Sequence, residues 1–115
     1  NEFCALFNPE AMYRAFGRNI VQMLFGDGAT LCGRELMPDN EFSHRYAREV
    51  GQTDTYRIRI LPASVTFDTD TIVCGDILAM FAYDDEKTIV RLENHNLANS
   101  MRAWFEVLWK TGKEV

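Results

Sequence analysis

A chain of 115 residues, 47% hydrophobic and 25% charged, has the balance of one globular domain and too much apolar content for wholesale disorder. Seventeen acidic against twelve basic residues leave a net charge of -5 and no basic run, so this stretch is not expected to grip nucleic acid phosphates itself. No apolar run reaches the ~18 residues of a membrane helix, and Asn1-Glu2-Phe3-Cys4 has no signal pattern.

Phe3 to Phe7 reads as a short apolar strand. Asn8-Pro9-Glu10 then opens a helix, with a capping side chain, proline at the first helical position and an early acid. Met12, Phe16, Ile20, Met23 and Leu24 recur at helical spacing, and Gly26-Asp27-Gly28 closes that helix. Ala29 to Met37 is predicted to be a second strand. Residues 41–50 follow as a polar helix stopped by Gly51.

Tyr56-Arg57-Ile58-Arg59-Ile60-Leu61 alternates, setting Tyr56, Ile58 and Ile60 on one face and both arginines on the other. Thr71 to Cys74, Ile77 to Tyr83 and Thr88 to Leu92 read as a meander turning at Gly75-Asp76 and Asp84-Asp85-Glu86-Lys87. A final helix begins at Asn94 or Asn96 and carries Leu97, Met101, Trp104, Phe105 and Leu108 on one stripe. It ends at Lys110 and Gly112, the latter read as a left-handed cap. The order β-α-β-α-β-β-β-β-α predicts an α/β fold, a mixed sheet flanked by helices, in a single domain over residues 1–115.

The chemistry-bearing residues are few. Cys4, Cys32 and Cys74 are odd in number and lack ligand spacing; all three read as buried thiols in a reducing, cytoplasmic setting. His44 and His95 have no nucleophile beside them and read as surface and cap residues. Asp68, Asp70 and Asp76 could suggest a divalent cation, but the calcium-loop glycine and closing glutamate are missing, so loop hydrogen bonding is the favoured role. Neither a metal nor a cofactor is expected. Arg34, Arg57 and Arg59 lie on strands, where they either pair with Glu35 or Glu93 across a solvated face or help to line a pocket. Arg34, Arg59 and Asp70 are the candidate ligand-binding residues, polar groups beside apolar strands.

Several runs resemble a known family. Arg59-Ile60-Leu61-Pro62, Phe67-Asp68-Thr69-Asp70-Thr71-Ile72, the Gly75-Asp76 turn and Asn99 through Lys110, with its Phe105-to-Trp109 ending, are similar to the C-terminal part of TrmB-like transcriptional regulators. Leu6-Phe7-Asn8-Pro9-Glu10 and Gly33-Arg34-Glu35-Leu36 fit more loosely. The resemblance implies a phospholipase-D-like effector domain, joined in that family to a winged helix-turn-helix that these residues do not include. The catalytic His-x-Lys-x4-Asp motif of phospholipase-D enzymes is absent, since Tyr46 stands two residues after His44 and Leu97 two after His95. The resemblance therefore implies a non-catalytic domain for effector sensing, dimerisation or both, expected to be a homodimer and cut from, or related to, a longer regulator. Its effector would be a sugar or an anionic metabolite, with DNA bound only through the separate winged helix. A structural interaction domain without a ligand is the alternative.

Overall fold

The computed structural model describes residues 2–25 and 31–115. Its elements run β1 (Phe3–Leu6), α1 (Pro9–Phe16), α2 (Ile20–Phe25), β2 (Gly33–Met37), α3 (Glu41–Val50), β3 (Tyr56–Ile60), β4 (Thr69–Cys74), β5 (Ile77–Ala82), β6 (Thr88–Glu93), α4 (His95–Thr111) and β7 (Lys113–Glu114). The strands form one mixed sheet in the order β6-β5-β4-β1-β2-β3-β7. β1, β2 and β3 are parallel, and the remaining neighbours are antiparallel. This is the expected mixed sheet with helices on its faces. The early strand-helix alternation makes the parallel centre, and the later strands make the hairpins.

The first long helix is in fact two. Gly17, at φ 90°, donates its N–H to the Tyr13 carbonyl and turns the chain, so α2 restarts at Ile20. The buried stripe shifts accordingly to Met12, Tyr13, Ile20 and Val21, while Phe16 and Met23 stand exposed. The expected helix end at Gly26-Asp27-Gly28, the Leu24 side chain and residues 29 and 30 lie outside the described residues. β2 starts only at Gly33, where a Cβ would sit 2.4 Å from the Phe3 carbonyl oxygen; a side chain there would push β1 away.

α1, α2 and α3 lie on one face of the sheet. Met12, Tyr13, Ile20, Val21, Tyr46 and Ala47 pack there on Met37, Tyr56, Ile58 and Ile60. The alternation read in β3 is thus realised. α4 covers the other face, where Phe105, Leu108 and Trp109 meet Cys4, Leu36 and Leu61, and where Ala98 and Met101 meet Val73 and Leu78. The expected stripe needs correction at two positions. Trp104 and Leu97 are exposed, and Ala98 and Trp109 turn inward in their place.

Asn94 caps α4 by accepting from the Leu97 N–H at 3.0 Å. Gly112 does not adopt the expected left-handed conformation. Its backbone is extended, leading into β7, and a Cβ there would lie 2.9 Å from the Arg59 Cβ. Glycine is required at that point for close approach. Among the described helices none is long and apolar enough to cross a membrane.

Candidate functional site

Register places Asp70, Ile72 and Cys74 of β4, with Ile77, Ala79 and Phe81 of β5, on the same face as α1, α2 and α3. Those helices pack over the β1–β3 half, and on this face no described helix covers the β4–β6 half. The step between the two halves is a cleft of about 530 Å³, within the size range of small-molecule sites. Phe3, Phe7, Phe16, Tyr46, Phe81 and Tyr83 supply aromatic walls, and Met12, Ile20, Leu31 and Ile72 aliphatic ones. Glu35 and Asp70 provide its two acids.

Glu35 sits mid-strand on β2, 7% exposed. The Tyr56 hydroxyl donates to its carboxyl and lies 3.4 Å from the Tyr46 hydroxyl, but Oε2 has no partner. Burial pushes this carboxyl up to about 8, with Asp70 adding like-charge repulsion against the pull of the Tyr56 bond. Both phenols are raised by the same burial and by Glu35. A buried oxygen without a partner costs on the order of 1–3 kcal/mol, which a polar ligand group would relieve.

Asp70 lies where β4 meets the carboxyl end of β1. Its Oδ1 accepts from the Asn8 N–H at 2.8 Å, and the Tyr83 hydroxyl also donates to it. Burial still raises it to about 6. The Asn8 side chain accepts from the Glu10 N–H to cap α1, accepts from Asn40 Nδ2 and donates to the Phe67 carbonyl. The loop after β1 and the loop before β4 are thereby tied at the cleft mouth. For Asp70 that is the loop-bonding role expected; the Asp76 side chain instead meets His95.

The structure separates the three candidate ligand residues. Asp70 lines the cleft, whereas Arg34 and Arg59 lie on the opposite face of the sheet, under α4. Arg34 pairs with Glu106 and stacks 5.2 Å from the centres of both the Phe105 and Trp109 rings. Arg59 lies 4.5 Å over Trp109, donates to its carbonyl at 2.8 Å and approaches Glu114. These arginines take their carboxylates from α4 and β7, not from Glu35 or Glu93. With both sheet faces covered at β2 and β3, stacking on α4 helps to hold these half-buried guanidinium groups, although Arg59 Nε has no hydrogen-bond partner among the described residues.

Glu35 was missed as a site residue. The available signal was its position in a strand between strand-helix crossovers, which put helices over both faces of a central parallel strand.

Asp76 accepts from His95 Nδ1 at 2.9 Å, far along β4 from Asp70, and Asp39 accepts from His44 Nε2 at the same distance. Among the described residues no three metal-ligating side chains converge. Of the cysteines, Cys4 is buried beside Arg34 and Cys74 half-buried, but Cys32 is exposed, contrary to expectation, because β2 has not yet begun there.

No family model and no curated protein sequence matches this chain. A solved structure does. TrmBL2 has a similar fold. That structure is described as an archaeal chromatin protein showing a novel mode of DNA binding; the match has a TM-score of 0.61 at 15% identity. It covers 100% of this chain and 45% of TrmBL2, so the chain spans less than half of that protein. At this identity the likeness is one of fold.

Proposed function

We propose that residues 1–115 are a non-catalytic regulatory domain of a TrmB-like transcriptional regulator, sensing a small molecule in the cleft over Glu35. The carrying observation is the cleft itself: an open, aromatic-walled space ending on a buried carboxyl oxygen with no partner. The fold shared with TrmBL2 and the sequence resemblance support the regulatory setting. Among the described residues His44 and His95 each pair with an aspartate outside the cleft, and neither lines it. Of the three residues singled out from sequence, Asp70 is assigned to the ligand, and Arg34 and Arg59 to holding α4. DNA contact belongs to a separate winged helix of the regulator.

Such a sensor works by differential affinity. A ligand bridging α1 and α2 to the β4–β5 half favours whichever arrangement of those parts closes on it, and an attached DNA-binding unit reads that bias. Thermal-shift screening of a broad metabolite library tests the reading. Binders at a hundredfold excess over Kd should raise Tm by about 5–10 °C. Ile72→Trp, which fills the cleft from its open side, should abolish those shifts while the circular dichroism spectrum stays native. A library without a single binder, or binders indifferent to Ile72→Trp, would overturn it.

A second reading, pairing of two copies of this chain, is supported by β6. It is an edge strand with all six residues exposed, and α4, which follows it in the chain, also exposes Leu97, Trp104 and Val107.

A further inference from the structure

The described cleft walls carry six aromatic rings and two acids but no lysine, arginine or histidine. An anion entering would meet two carboxyl groups and nothing positive. A sugar would set most of its hydroxyls against rings and aliphatic side chains, each left without a partner. An apolar body with a single positive charge suits both features. Ring faces attract cations through their quadrupole, more strongly where water is excluded, and Glu35 and Asp70 stand at the floor and mouth to balance the charge. Tyr46 and Phe7 already meet edge to face at 5.0 Å, giving the cleft a firm wall.

Resting on the sensing reading, we propose that the cleft binds a hydrophobic organic cation, seated among Phe3, Phe7, Phe81 and Tyr83 with its charge toward Glu35 and Asp70. The buried acids explain how the empty cleft is tolerated. Without a ligand Glu35 keeps its proton, so no bare charge sits in apolar surroundings; an arriving cation releases that proton to solvent and takes the carboxylate as partner.

Tetraphenylphosphonium and tetraphenylborate share shape and bulk and differ in the sign of charge, so isothermal titration of the chain with each isolates the electrostatic choice. The phosphonium should bind about tenfold tighter or more, and Glu35→Gln with Asp70→Asn should reduce that preference to about threefold or less. Both substitutions keep size and hydrogen-bonding shape, and native circular dichroism verifies folding. A preference unchanged in the double variant would show that the charge choice lies elsewhere and overturn the proposal. Equal or tighter borate binding that Ile72→Trp abolishes would also overturn it, leaving the sensing reading intact. Binding of neither ion excludes the cationic class, and the library screen then decides the sensing reading separately.

Discussion

At the scale of single residues, Glu35 is the position where burial and charge are most at odds. Its proton is held to about pH 8 in the folded chain, against an ordinary value of 4.5, and Asp70 to about 6 against 3.8. A raised acid stabilises the fold fully below its unfolded value and loses that contribution as pH climbs to the folded one. Stability should therefore fall from about pH 4 to about pH 8, at no more than about 1.4 kcal/mol per pH unit for each group, and then level off. Glu106 runs the other way, held below the usual carboxylate range by the hydrogen bond from Arg34, and its support disappears at acid pH. Glu35→Gln keeps the shape and removes the titration. Urea unfolding across pH should show the variant without most of the slope between pH 6 and 8, and about 1–3 kcal/mol more stable than wild type at pH 9. An unchanged slope, with no gain at pH 9, would mean that Glu35 is solvated and ionised at neutral pH.

At the scale of elements, α4 separates what sequence carries from what packing decides. Leu97, Ala98, Met101, Trp104, Phe105, Leu108 and Trp109 spread over about 140° of the helix circumference, wider than the ~100° an apolar stripe needs, so spacing alone permits more than one buried stripe. The choice falls to the sheet. Arg34 and Arg59 rise from β2 and β3 and draw Trp109 inward by stacking, which rolls Trp104 out. Phe105→Ala should cost about 3–5 kcal/mol in chemical denaturation, because the ring is buried against Cys4, Leu36 and Leu61. Trp104→Ala should cost less than about 1 kcal/mol, its ring being 62% exposed. Equal losses at both positions would show that the roll is wrong. The meander was legible because Gly75-Asp76 and Asp84-Asp85-Glu86-Lys87 are local turn chemistry. The split at Gly17 was hidden inside an unbroken apolar period, and β7 is too short to alternate. The site was half legible: Asp70 could be reached from its loop, while Glu35 needed knowledge of which strands are central.

At the scale of the molecule, β6 leaves one row of backbone groups without a described partner strand, on an edge that is neither short nor bulged nor covered. Such an edge invites another strand. A second copy of β6 can pair antiparallel and keep each face continuous only if residues of the same face lie opposite each other. Centring on Val90 sets Arg91 against Ile89, and centring on Arg91 sets two guanidinium groups together. Centring on Leu92 sets Arg91 opposite Glu93 of the second copy, twice, and brings the exposed Leu92 onto its own mate. The last register is the complementary one. Sedimentation equilibrium should then show a mass rising toward dimer with concentration, and Leu92→Lys should hold the chain monomeric. Arg91→Glu and Glu93→Arg should each weaken pairing, and the double swap should restore it, because the reversed charges meet again across the two-fold. A chain monomeric throughout, or a dimer indifferent to Leu92→Lys, would exclude this edge. Single swaps not rescued by the double would exclude the register.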